Sequence, residues 1–306
     1  MNIQETIEQL KREKDAVILA HYYVEPQVQA AADYVGDSFY LSKLAAGLPN
    51  KTLVFCGVSF MGESGKLLSP DKTVLMPDME ADCPMAHMVT REMVQAAREK
   101  YPDLAVVCYV NSTAEIKSWS DVCVTSANAV DIVKNLPNER ILFIPDKNLA
   151  RYVARQVPEK SIIIPDGYCP VHEKMKAEEI SALKEIHPQA KVLAHPECNG
   201  QVLEMADYIG STSGIIAYAA DSPQKEFIIA TEEGVLYELQ EKRPDAAFYF
   251  AKTRPVCEGM KRITLEKVAH ALRTGENALE VDERLAGPAG ETLKKMLEIA
   301  SGKGKR

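Results

Sequence analysis

The chain of 306 residues carries seven cysteines but no Cys-x-x-Cys pair, which argues against a zinc finger or ribbon built on local ligand pairs. No stretch approaches the roughly 20 consecutive apolar residues that a membrane-spanning helix needs. The opening segment MNIQETIEQLKREK is charged and helix-like, unlike a signal peptide. Positive charge is scarce: the net charge is −8, and the basic residues are scattered apart from a short tail, SGKGKR. The electrostatic footprint of a nucleic-acid binder is therefore missing. Low-complexity tracts and flexible linkers are missing too. An odd number of cysteines without a secretion signal points to a reducing compartment, the cytoplasm, and to thiols used as ligands or core residues.

What the chain does have is repetition. Cys83, Cys169 and Cys257 are separated by 86 and 88 residues, and each follows an apolar run closed by polar or Pro-containing residues (TVLMPDMEADC, SIIIPDGYC, AFYFAKTRPVC). His21, Tyr109 and His195 end the runs AVILAH, LAVVCY and AKVLAH with gaps of 88 and 86. Asp33, Asp121 and Asp207 open DYVGDS, DVCVTS and DYIGST, and those segments close on Ser38, Ser126 and Thr212 with the same spacing. Three copies of one unit bring equivalent strand ends together around an axis, so residues far apart in sequence become neighbours.

Each unit reads as short, continuous apolar runs separated by helical patterns such as TREMVQAAREKY and EEISALKEI. Runs without strict alternation imply parallel strands buried on both faces. The expected fold class is α/β: three pseudo-threefold-related, three-layer αβα domains, each with a short parallel sheet. Residues 1–85, 86–171 and 172–258 form the three domains, and C-terminal helices within 259–306 pack on the first. Ligands collect at the carboxyl ends of parallel strands, so the active site belongs at the junction of the three.

Cys56, Cys108 and Cys123 lie inside apolar strands and read as small core residues. Cys83, Cys169 and Cys257 read as one metal site, because core packing does not demand equivalence under a repeat. Thiolate-only ligation by three protein donors suits an iron–sulfur cluster that keeps one iron free for substrate. Cys198, after HPE, is a candidate fourth ligand that breaks the repeat. Around the histidines, Tyr22, Tyr23, Asn111 and Glu197 add carboxylate-binding donors and a candidate general base. Ser38, Ser126 and Thr212 read either as helix N-caps or as an anion-binding ring at three helix N-termini. Asp33, Asp121 and Asp207 read as turn or capping residues. GVSFMGESGKLL lacks the spacing of a phosphate loop, and PDKNLARYV gives Lys147 at most a weak phosphate role.

Taken in order, ILAHYY, DYVGDS, DCPMA, YVNSTAE, TSANAV, PDKNLA, CPVH, HPEC and VCEGMKRITL closely resemble the signature segments of the quinolinate synthases along nearly the whole chain. The resemblance implies a transferase of NAD biosynthesis that condenses iminosuccinate (iminoaspartate) with dihydroxyacetone phosphate to give quinolinate, releasing phosphate and water. It implies a [4Fe–4S] cluster on Cys83, Cys169 and Cys257, whose open iron acts as a Lewis acid. It also implies that iminosuccinate is held by His21, Ser38, Tyr109, Val110, Asn111, Ser126, His195, Pro196, Glu197 and Thr212, with backbone contacts from Val110 and Pro196. Tyr23 and Glu197 resemble the proton-transfer residues, alongside Tyr109 and His195 as further catalytic candidates. An L-aspartate oxidase or aspartate dehydrogenase is the implied supplier of the unstable imine. Some members carry a Cys-x-x-Cys-x-x-Cys run at the third ligand, where this chain has CEGMKR, so the redox regulation attributed to that run is not carried over. The other classes to be weighed are an iron–sulfur hydro-lyase acting on a hydroxy acid and a non-enzymatic protein with structural zinc.

Overall fold

The computed structural model describes residues 2–302, so 303–306, the end of the basic tail and of the span assigned to the C-terminal helices, lie outside the described residues. Twelve strands form three sheets of four. The first holds β1 (Ala16–His21), β2 (Tyr34–Gly36), β3 (Thr52–Cys56) and β4 (Thr73–Leu75). The second holds β5 (Ala105–Tyr109), β6 (Val122–Val124), β7 (Arg140–Ile144) and β8 (Ser161–Ile163). The third holds β9 (Lys191–Ala194), β10 (Tyr208–Ile209), β11 (Glu226–Ala230) and β12 (Ala247–Tyr249). The spatial orders are β2-β1-β3-β4, β6-β5-β7-β8 and β10-β9-β11-β12, one topology three times, with every pairing parallel. Register repeats as well: Ile18 faces Val54, Val106 faces Leu142 and Val192 faces Ile228. β1 and β5 are buried along their whole length, as strands covered by helices on both faces must be.

The three aspartates explain why the register repeats. Asp33, Asp121 and Asp207 each stand just before the second strand of a unit and grip the first strand twice. Their backbone N–H groups donate to the carbonyls of Ile18, Val106 and Val192 at 3.0, 2.9 and 2.8 Å. Their carboxylates accept the N–H groups of the same three residues at 2.8, 2.7 and 2.8 Å. A cation neutralises each: Lys11, Arg98 and Lys191 lie 2.7, 3.0 and 2.7 Å away. Helix ends and turns would otherwise leave these strand amides unpaired.

The segment GVSFMGESGKLL forms the helix Ser59–Leu68, not a phosphate loop. A Cβ on Gly65 would stand 2.3 Å from the Phe55 ring, so glycine lets this helix lie directly on β3. The C-terminal helices are not confined to the first unit. Leu265–Thr274 packs on the N-terminal helix Ile3–Lys14, but Glu283–Ala300 lies across Ser59–Leu68 of the first unit and β6, Ala114–Ser118 and Ala129–Asn135 of the second. The 18-residue length of that last helix is the reason: its buried stripe of Ala289, Gly290, Leu293 and Met296 is long enough to cover both units at once.

Replacing Asp121 by Ala strips the Val106 N–H of its acceptor in a buried strand. The expected loss is about 1–3 kcal/mol in urea unfolding, with affinity for small ligands unchanged. Unaltered stability would show that the clamp does not hold the sheet.

Candidate active site

The carboxyl ends of all three sheets line one narrow cavity of about 70 Å³. His21 and Tyr109 end β1 and β5, and His195 follows β9. In the two histidine copies the backbone orients the ring: His21 Nδ1 accepts the Tyr23 N–H at 3.2 Å, and His195 Nδ1 accepts the Glu197 N–H at 3.3 Å. Each acceptor role leaves the proton of the neutral ring on Nε2. The Nε2 of His195 lies 3.2 Å from Ser126 Oγ, and Glu197 Oε2 lies 3.4 Å from its Nδ1. Tyr23, Asn111 and Glu197 thus occupy one address, two residues past the landmark of each copy, and all three line the cavity.

Ser38, Ser126 and Thr212 line it too, and none of them is a cap. The N-caps of Ser38–Gly47 and Thr212–Asp221 are the preceding residues, Asp37 and Ser211, which accept the N–H groups of Tyr40 and Gly214. In the second copy the helix begins only at Ala129, and Asn128 Oδ1 instead accepts the Thr125 N–H at 2.7 Å. With capping assigned to neighbours, the three hydroxyls serve the cavity. Thr212 Oγ1 pairs with the Tyr23 hydroxyl at 2.7 Å.

Cys83, Cys169 and Cys257 line the same cavity, each immediately before a single helical turn: Pro84–His87, Pro170–Glu173 and Glu258–Lys261. Backbone N–H groups of those turns, at Met85, at His172, and at Gly259 and Met260, lie near enough to the sulfurs to favour the ionised thiol. Buried carboxylates fix the cysteine backbones in turn. Asp146 Oδ2 accepts the Cys169 N–H at 3.0 Å, and Glu232 Oε1 accepts the Cys257 N–H at 3.1 Å while also meeting Lys261 Nζ at 3.1 Å. A Cβ on Gly259 would stand 2.3 Å from the Asp82 carbonyl, so the third turn can only pack on the first cysteine's loop as glycine.

Four site residues had not been singled out from the sequence. His172 is fully buried: its Nδ1 lies 3.2 Å from Cys169 Sγ and 2.9 Å from Glu197 Oε2, and its Nε2 lies 3.0 Å from Thr231 Oγ1. Thr231 Oγ1 in turn bonds the Tyr23 hydroxyl at 2.7 Å, so a continuous hydrogen-bonded chain joins Tyr23 to Glu197. Asp146 and Glu232 complete the set. They are 86 residues apart, each just past the third strand of its unit, so the period that marked the other landmarks could have found them. His172 and Thr231 leave no such signal, because neither has a like residue in the other copies.

Other expected residues fall elsewhere. Val110 and Pro196 do not line the cavity, and the Val110 N–H is taken by the Val124 carbonyl at 2.9 Å. Cys198 is not at the three thiols: the turn closed by its N–H on the His195 carbonyl at 3.0 Å sends it into the apolar core of the third unit, 3.3 Å from the Ala230 carbonyl. Lys147 pairs with Glu173 at 2.6 Å and lies over the Tyr168 ring, outside the cavity. Cys56, Cys108 and Cys123 are core residues.

The sequence profile of the quinolinate synthetase A proteins matches residues 5–298. The quinolinate synthase of Fusobacterium nucleatum is 53% identical over 298 residues, covering 97% of this chain and 99% of its own. That of Caldicellulosiruptor saccharolyticus is 50% identical, covering 97% and 98%, and that of Methanosarcina barkeri is 48% identical, covering 96% and 97%. The chain belongs to the quinolinate synthase family.

Membership in the quinolinate synthases implies an iron–sulfur cofactor, and the residues present fit one. Burial pushes the Cys83 thiol up to about 12 and the Cys257 thiol up to about 11, and it raises Cys169 well above its ordinary value. Three buried thiols lining one cavity are stable as neutral groups, or as thiolates bound to metal that replaces their protons. The amides near the sulfurs favour the second state. Ligand-capable atoms of Cys169, His172 and Glu197 lie within 4.8 Å of one another, so metal held at Cys169 would have an imidazole and a carboxylate beside it. Burial also sets the electrostatics of the other groups. It raises Tyr23 and Tyr109 well above the usual phenol range. Glu197 is pushed up by burial, but His195, His172 and the Tyr109 hydroxyl outweigh that and hold it below the usual carboxylate range.

His21 is lowered to about 4 and His195 to about 3, in both cases by burial first. The unfolded chain therefore binds protons that the folded chain refuses. The stability linked to His21 is full above its unfolded value of 6.5 and is lost as pH falls towards 4. The loss is about 3 kcal/mol at one pKa unit per 1.36 kcal/mol. His21→Gln should flatten the dependence of the urea midpoint on pH across that window, and an unchanged slope would contradict a buried neutral imidazole.

Proposed function

We propose that this chain condenses iminosuccinate with dihydroxyacetone phosphate to quinolinate, with release of phosphate and water. The observation that carries the reading is the lining of one cavity by three equivalent cysteines together with three hydroxyls, two neutral histidines, a buried phenol and an ionised carboxylate. The cysteines would hold a [4Fe–4S] cluster, whose iron without a protein ligand supplies Lewis acidity toward a substrate oxygen or nitrogen. Ser38, Ser126 and Thr212, with His21, Tyr109, Asn111 and His195, present N–H and O–H donors to the two carboxylates of the imine. Val110 and Pro196 have only carbonyls to offer, since one amide is engaged and the other absent.

Proton traffic falls to two residues. Glu197 Oε1 is buried and has no hydrogen-bond partner among the described residues, so it is free to take a proton from substrate carbon. The Tyr23 hydroxyl is held protonated by burial and donates to a departing hydroxyl, and the proton that Glu197 has taken returns to it through His172 and the Thr231 hydroxyl. Exclusion of water by the surrounding apolar residues keeps the imine from hydrolysing. Among the described residues no helix is long and apolar enough to cross a membrane, and all seven cysteines are free. In this reading the enzyme works in the cytoplasm and takes its imine from an aspartate-oxidising partner, as its family resemblance implies.

Anaerobically purified protein should be brown and should release phosphate only when both substrates are present. A hydro-lyase would release none, and a structural zinc protein would be colourless. Changing Cys83, Cys169 or Cys257 to Ala should abolish the iron–sulfur absorption, while Cys56→Ala keeps it; a full chromophore in Cys169→Ala would sink the assignment.

Tyr23→Phe should retain the absorption spectrum and lower turnover by roughly 10²–10⁴, the range for losing a general acid or base. Near-normal turnover would remove Tyr23 from the chemistry.

A further inference from the structure

The three cysteines face two spaces. Besides the inner cavity they line an outer groove of about 660 Å³, and Val171 is the one other residue common to both linings. The ring of sulfurs is thus the partition between a narrow chamber walled by buried polar groups and a wide depression open to solvent. Exposed side chains form the groove's mouth: Lys174, Arg254, Glu258, Glu80 and Arg262, with the partly buried Asp82. Most of this charge is already paired. Arg262 meets Asp78 at 3.1 Å and also Glu80, Arg254 meets Glu233 at 3.4 Å, and Asp82 meets His87 at 2.7 Å. Lys174 and Glu258 have no ion-pair partner among the described residues, one of each sign, so the mouth favours neither cations nor anions.

We infer that the outer groove is a port of its own to the cysteine ring, through which ferrous ions, sulfide and small iron chelators reach the three thiols without passing through the substrate cavity. The inference rests on the reading of these cysteines as cluster ligands. The inner cavity is the smaller space and is lined by the groups read above as substrate contacts, so metal arriving there would compete with substrate. The groove is wide, nearly neutral at its mouth, and ends on all three sulfurs. Substrate and metal accordingly have separate approaches to opposite sides of one group.

The test uses the cluster-loaded protein. Lys174→Trp/Arg254→Trp narrows the mouth without touching a cysteine or the inner cavity, and Lys174→Ala/Arg254→Ala widens it. With a small bipyridyl-type iron chelator, loss of the brown absorption should slow by about threefold or more in the Trp variant, about 0.7 kcal/mol in barrier, and quicken in the Ala variant. Reloading with ferrous iron and sulfide should follow the same order, with quinolinate affinity unchanged in all forms. A merely destabilised Trp variant would lose its cluster faster, so slowing cannot come from damage to the fold. Equal rates of loss and reloading in the three proteins would overturn the port while leaving the cluster assignment intact. A wild-type protein without a cluster chromophore would instead overturn the functional reading itself.

Discussion

The arrangement depends on how backbone amides next to the sulfurs are satisfied where three sheets end. Cys169 and Cys257 leave their strands for single helical turns, and their N–H groups are buried beyond the reach of any ladder. Asp146 and Glu232 supply the acceptors, and each carboxylate is raised in pKa by its burial. A buried carboxylate is costly unless its oxygens are filled, so each also accepts further amides: Asp146 from Leu149 at 2.6 Å, and Glu232 from Gly234 at 2.6 Å. The acid that fixes the sulfur therefore also starts the helix after the third strand. Moving one would move the other.

From that constraint follows the way an acidic protein handles anions. The net charge of −8 repels dicarboxylates and phosphates at long range, yet the cavity presents hydroxyls, ring N–H groups and helix-start amides. Short-range directional donors in a dry cavity outweigh a field that salt screens within about 8 Å. The cavity also keeps His21 and His195 neutral, so they bind as hydrogen-bond donors and add no fixed charge that would trap a dianionic product.

Much of this was legible in the chain because the repeat is a physical one. The clamp of Asp33, Asp121 and Asp207 requires the same side chain at the same distance before each second strand, and the cysteines require the same strand end, so spacing marked both sets, although the aspartates read as turn or capping residues and their grip on the first strand shows only in the structure. The apolar runs marked the strands because parallel strands buried on two faces cannot alternate. Three things were hidden. The role of Ser38, Ser126 and Thr212 was hidden because caps and anion donors use the same residue types, so both readings stood until the backbone showed that none of the three is a cap. His172 and Thr231 were hidden because their roles are unique to one copy. The position of Cys198 was hidden because HPEC places it beside the site in sequence, and the turn that carries it back into the core leaves no mark on composition.

Symmetry in the scaffold and asymmetry in the chemistry are divided between different addresses. Two addresses carry one residue type in all three units: aspartate at 33, 121 and 207, which clamps the strands, and cysteine at 83, 169 and 257. One address that lines the cavity differs. The address two past the strand-end landmark is Tyr23 in the first unit, Asn111 in the second and Glu197 in the third: a phenol, a neutral amide and a carboxylate on equivalent backbone. Three like ligands suit a cluster that needs equal thiolates. The substrate proposed above, with an imine, two carboxylates and a reacting carbon, would need unlike neighbours on its different sides, because a base and an acid must act at separate atoms. One backbone unit repeated three times can satisfy both demands only if its sulfur address is invariant and its address beside the first strand is not.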